Sequence, residues 1–204
     1  MGPMFKRRSA SFKKGNVCNE RNGTMTVINM SHIEAIGNHL PEEAKDLKLN
    51  LSSIFNGDLL THSQMWGVLL TSAYFVKDEQ LIRAFEEDAL ADEVSDEVIS
   101  DAKAAASIMG MNTIYYRFRH LINKENYDNK PARLRMQRMM RPATSKLDFE
   151  LNSMAAAVLA GCEMCIRAHE VSILKEGLAD EHVHEVVRIA SIVHGLSIAL
   201  STQI

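Results

Sequence analysis

The chain has 204 residues, enough for one domain with a substantial core, and 46% of them are apolar. A net charge of −3 and a pI near 6.2 argue against nucleic acid or an anionic membrane as partner, and no unbroken run approaches the ~20 apolar residues that cross a bilayer. Three cysteines exclude a secreted disulfide framework, so a working dithiol here belongs in a reducing compartment such as the cytoplasm.

Residues 1–30 stand apart. Lys6, Arg7, Arg8, Lys13, Lys14 and Arg21 face the single acid Glu20, with Gly and Ser between them and no apolar period. That composition predicts a disordered basic tail or leader. It lacks the apolar core of ~7–15 residues that a secretory signal needs. Cys18 reads as an idle thiol within it. From residue 31 to 204 the chain reads as a single, all-α domain. Pro41 suits a first helical position, and Ala44, Leu47, Leu51 and Ile54 form a stripe that stops near Asn56-Gly57. Thr61 and Gln64 make a capping-box pair ahead of Met65, Trp66, Leu69, Leu70 and Ala73, with Trp66 as a core anchor. Asp78 caps a helix presenting Leu81 and Phe85. Ser95, with Asp96 and Glu97 in the first turn, opens another through Val98, Ala102, Ala105 and Met109. After Gly177, Asp180 is expected to cap a last helix carrying Val183, Val187, Ala190, Val193 and Leu200. In that helix His182 and His184 read as solvated, and His194 as a satisfied core or interface residue.

An internal echo appears at a shift of 51 positions. Ala105–Asn126 lies on Ala156–Gly177, so that Gly110 meets Gly161, Met111 meets Cys162, Ile114 meets Cys165 and Phe118 meets His169. The pattern predicts a duplicated helix–Gly–helix unit, a scaffold copy and a site copy, with Asn126 and Gly177 as matching left-handed helix ends. Between the copies, residues 130–142 carry Arg133, Arg135, Arg138 and Arg141 among Met136, Met139 and Met140. This reads as a solvated basic face beside core methionines, with a docking surface as the sharper alternative.

Chemistry concentrates in Glu150-x11-Cys162-x2-Cys165-x3-His169. Ser145 is a plausible N-cap for a helix with Leu147, Leu151, Met154 and Val158 on one stripe. Glu150 falls on that stripe and is expected to be half-buried with a compensating partner. Beyond Gly161, Cys162, Cys165 and His169 follow at steps of three and four and line one helix face. Two thiols at this spacing can close a short disulfide and be reduced again. Helix-terminus electrostatics favours Cys162 as thiolate. Proximity to the His169 base favours Cys165, and this second effect is taken as the stronger, since the dipole contributes only ~0.3–1 kcal/mol. A structural zinc site would need four ligands, and His182, His184 and His194 do not offer them in a convincing arrangement. A thioredoxin-type site would need strands feeding the motif.

On these residues the chain resembles the alkyl hydroperoxidase D family of the carboxymuconolactone decarboxylase-like superfamily. The resemblance runs over roughly residues 33–202 and includes the stretch Leu40–Ile54, the Ile108-Met109-Gly110-Met111-Asn112 stretch and Phe149-Glu150. It implies an all-helical antioxidant enzyme, a homo-oligomer and commonly a trimer. No cofactor is bound, and electrons come from external dihydrolipoyl groups. The implied partners are the peroxiredoxin alkyl hydroperoxide reductase C, a lipoyl-bearing acyltransferase and lipoamide dehydrogenase. Carried over by residue, Cys165 would form the sulfenic acid, Cys162 would be its disulfide partner and proton donor, and Glu150 with His169 would relay protons. Family members carry a histidine just before the second cysteine, where this chain has Met164, which implies a shorter relay. A non-catalytic thiol sensor and a cysteine-independent decarboxylase are the alternatives.

Overall fold

The computed structural model describes residues 30–202, together with the backbone of residues 20–21 and 24–25. The expected disordered tail and Cys18 otherwise lie outside the described residues. Glu20–Arg21 and Thr24–Met25 form a two-residue antiparallel ladder, and everything from Ser31 onward is helical or connecting. The helices are α1 (Ser31–His39), α2 (Lys45–Ile54, entered through a 3-10 turn at Glu42–Ala44), α3 (His62–Val76), α4 (Glu79–Ala91) and α5 (Asp96–Ile122). They continue with α6 (Glu125–Asp128), α7 (Gln137–Met140), α8 (Lys146–Leu159), α9 (Glu163–Lys175) and α10 (Asp180–Ser201). The all-α expectation is met.

The middle of the domain is α3. Its start is the capping box expected from sequence: Gln64 N donates to Thr61 Oγ1, and Thr61 N donates to Gln64 Oε1 at 3.0 Å. Gln64 through Ala73 are all buried, so this helix has no wet face and must be surrounded. It is ringed by α4, α5, α8 and α10. Leu69 and Leu70 are fully enclosed, each contributing roughly 1.5–3 kcal/mol. Where α3 meets α8 the approach is close enough that a Cβ on Gly67 would sit 2.7 Å from Asn152 Oδ1, so a larger residue would require the Asn152 side chain to shift. Trp66 is enclosed as expected, and its Nε1 donates to Asp92 Oδ2 at 2.7 Å, where His62 also pairs with Asp92.

Several local expectations change form. Ser95 precedes α5 but its side chain accepts no backbone N–H there. Asp180 is the first residue of α10 and not its cap; the cap position is Ala179, whose N–H donates to His182 Nδ1 at 3.2 Å. His194 is exposed. The duplicated helix–Gly–helix unit is broken only in its second copy. α5 runs continuously through Gly110, which is exposed with open space around its Cα. Its left-handed end is Asn123 (φ 44°), three residues before Asn126, which lies inside α6. Finally, α10 is long and apolar enough to span a bilayer once Glu185 and Arg188 are tolerated within it. Val186, Ile189, Ala190, Val193 and Leu196 are instead buried where it packs on α3 and α8.

The start of α1 is held by a residue far away in sequence. Asp88 of α4, fully buried, accepts from Ile33 N (2.8 Å), His32 N (3.1 Å) and the His32 ring (2.7 Å). The Asp88 carboxylate, aided by Glu87, raises the His32 pKa above its ordinary value.

Candidate active site

The site is built on the turn between α8 and α9. Ser145 caps α8 as expected, accepting from Asp148 N at 3.0 Å. From Phe149 to Ala157 the helix is buried on nearly all sides, which carries Glu150 into the interior. α8 ends in a Schellman motif: Cys162 N donates to Ala157 O at 3.1 Å and Gly161 N to Val158 O at 2.9 Å. The pivot, Gly161, has φ +62°, a conformation that costs any side-chain-bearing residue. The freed Ala160 carbonyl is taken by Arg117 Nη1 of α5 at 2.6 Å. The next residue, Cys162, is already the N-cap of α9.

All four expected site residues converge here. Cys162 and Cys165 are joined as a disulfide with their Cα atoms 5.3 Å apart, and Cys165 N points at Cys162 Sγ at 3.4 Å. Cys162 is fully enclosed, whereas Cys165 keeps 6% exposure and opens onto a cavity. One turn further, His169 shares that cavity, and its Nδ1 pairs with Glu150 Oε2 at 2.7 Å. Both side chains are largely out of water, 9% and 15% exposed, so the pair acts in a medium where charge-assisted hydrogen bonds are strong. A carboxylate on Nδ1 assigns the proton to that nitrogen and leaves Nε2 to exchange one. The buried His62–Asp92 pair has similar chemistry, but its partner is the Trp66 indole rather than a thiol, and it serves the core. Among the described residues no group of three His, Cys, Asp or Glu side chains is disposed to hold a metal.

The cavity, of about 740 Å³, was not legible in the sequence. Besides Glu150, Cys165 and His169 it is lined by Met109, Tyr116, Leu134, Met136, Met139 and Met140, with Met164, Arg135 and Lys146 nearby on its wall. The basic, Met-rich segment read as a solvated face is therefore a wall of the site. Its only signal was three methionines in five residues. The wall is pinned by Asp101 of α5, whose buried carboxylate accepts from Ala143 N (3.1 Å), Thr144 N (2.8 Å), Thr144 Oγ1 (2.8 Å) and Arg138 Nε (2.9 Å). Burial pushes the Asp101 pKa up, but the Thr144 and Ala143 donors and the Arg138 charge more than offset this and hold it below the usual carboxylate value. Met164, just before the second cysteine, is 39% exposed on the cavity wall and brings only a thioether there.

Comparison with known proteins identifies the chain's relatives. Residues 127–202 match the carboxymuconolactone decarboxylase family. An alkyl hydroperoxide reductase AhpD of Anaeromyxobacter dehalogenans (strain 2CP-C) is 47% identical over 171 residues, covering 84% of this chain and 91% of that protein. Proteins of the same name from Maricaulis maris and Rhodospirillum centenum are 43% and 40% identical, each over 84% of this chain and over 98% and 91% of their own lengths.

Proposed function

Since this chain belongs to the AhpD family of alkyl hydroperoxide reductases, we propose that it reduces organic hydroperoxides through the Cys162–Cys165 dithiol. The observation that carries the reading is the shared cavity: of the two sulfurs, Cys165 is the one that opens onto it, with the Glu150–His169 pair in the same wall.

In the reduced protein His169, oriented by Glu150, accepts the Cys165 proton. The thiolate attacks the terminal peroxide oxygen; an S–O bond forms, the O–O bond breaks, and the alkoxide leaves as an alcohol after taking a proton from the relay. Cys165 is then a sulfenic acid. Cys162, enclosed directly behind it, displaces the hydroxyl as water and closes the disulfide. A dihydrolipoyl dithiol returns the two electrons by exchange at Cys165, the accessible sulfur. In this scheme the donor is a lipoyl-bearing acyltransferase kept reduced by lipoamide dehydrogenase, and a second acceptor is the peroxiredoxin alkyl hydroperoxide reductase C. A cytoplasmic setting and a homotrimer complete the proposal. The exposed apolar stripe Met111, Ile114 and Leu121 on α5 supports self-association.

The test is a coupled assay with lipoamide dehydrogenase, lipoamide, NADH and peroxide, run with and without the peroxiredoxin. Steady turnover is expected. Cys165→Ser should reduce it to background, and Cys162→Ser should accumulate a dimedone-reactive sulfenic acid. Turnover that survives loss of both cysteines would instead support a decarboxylase-type activity on this fold, and a single stoichiometric oxidation without turnover a sensor.

A further inference from the structure

Two properties of the cavity wall combine in a way the dithiol chemistry does not require. The first is its apolar character: Met109, Leu134, Met136 and Met139 line it, and Met140, 82% exposed, carries the apolar surface out to the rim. Unbranched thioethers adapt to flexible apolar chains, and apolar surface left at the mouth of a cavity marks a binding site. At about 740 Å³ the space lies in the range that encloses a ligand of twenty or more heavy atoms, far more than a four-carbon hydroperoxide fills.

The second is charge. Residues 130–146 hold six cations and no acid, in a chain of net charge −3. Arg138 is committed to Asp101 and Lys146 to Glu176 at 2.6 Å. Arg135, which also lines the cavity, has no acidic partner among the described residues and is exposed. An unpaired guanidinium beside an apolar chamber suits a carboxylate, which it can grip with two parallel hydrogen bonds.

We infer that the preferred substrate is a long-chain fatty-acid hydroperoxide, its chain lying along the methionine wall and its carboxylate on Arg135, with the peroxide group presented to Cys165. The inference rests on the peroxide-reducing reading above. The reaction is the same two-electron step: the O–O bond of the fatty hydroperoxide breaks, its alkoxide is protonated to the hydroxy fatty acid, and Cys165 becomes the sulfenic acid that Cys162 resolves with release of water.

The experiment compares linoleic acid hydroperoxide, its methyl ester and tert-butyl hydroperoxide on the full chain in the lipoamide-coupled assay, below micelle-forming concentrations. The expected order of kcat/KM is acid, then ester, then tert-butyl, with the acid ahead of the ester by roughly tenfold through KM. Arg135→Ala should collapse the acid-to-ester ratio towards one, and Met136→Gln should lower both fatty substrates relative to tert-butyl hydroperoxide. Equal rates for acid and ester in the wild type, or a ratio that survives Arg135→Ala, would overturn the inference while leaving peroxide reduction intact. So would an Arg135→Ala effect confined to the KM for dihydrolipoamide, which would assign the arginine to the reductant. Failure of all three peroxides would remove the underlying reading as well.

Discussion

Residues 105–126 and 156–177 start from similar sequence and end as different devices. The first runs unbroken through Gly110 as α5, to Ile122, and shows Met111, Ile114 and Phe118 to the surface at 36%, 60% and 46% exposure. The second breaks at Gly161, and the matching positions, Cys162, Cys165 and His169, are sealed to 0%, 6% and 7%. A glycine at the same place in both copies does not decide the outcome. What differs is the capture of freed backbone groups: in the second copy Val158 and Ala157 accept the turn's N–H groups and Arg117 takes the Ala160 carbonyl. Gly110 lies inside the continuous α5 with open space around it and remains an ordinary, slightly weak, helical residue. A break is tolerated where its freed backbone groups find partners, as Gly161 N, Cys162 N and the Ala160 carbonyl do in the second copy.

The covering of the second copy is the first thing to break. Asp101→Ala removes the acceptor for Ala143, Thr144 and Arg138 at once and leaves their donors unmet. A loss of about 3–5 kcal/mol in unfolding free energy is expected, read by chemical denaturation. Activity should fall through a raised KM for bulky peroxides as the methionine wall loosens. The wild type tests the same contact by pH. Because the folded Asp101 pKa lies below its unfolded value, its contribution is complete above the unfolded pKa of about 3.9. It is lost as pH falls through the still lower folded value, and segment 138–144 should lose amide protection in that acid window.

A smaller effect separates the two glycines. Gly161→Ala places a side chain at φ +62° and should cost ~1 kcal/mol, together with slower disulfide closure as the Cys162 cap shifts, measured by rapid mixing of the reduced protein with peroxide. Gly110→Ala meets nothing within 4 Å and should have the opposite sign, adding ~0.5–1 kcal/mol to stability in thermal melts. If both substitutions changed stability in the same direction, the contrast between the copies would be wrong.

The sequence was most informative where the physics is local. The Thr61–Gln64 box, the Ser145 cap, the half-buried Glu150 and the single helix face of Cys162, Cys165 and His169 all follow from spacing and capping chemistry, and each is found in place. Contacts between distant residues were out of reach. Nothing near Asp101 announces that it will clamp residues 42 and 43 positions away, and nothing near Asp88 announces that it will cap α1. The methionine wall was misread for the same reason. Periodicity tells which residues avoid water, but not whether they do so against a core or around a hollow.

Cys162 belongs to two helices at once, closing α8 through its N–H to Ala157 and opening α9 through its carbonyl to Ile166. Neither bond involves sulfur. These two main-chain bonds can persist whether the pair is dithiol or disulfide, and only the Cys165 N contact to Cys162 Sγ is tied to the state of the sulfur.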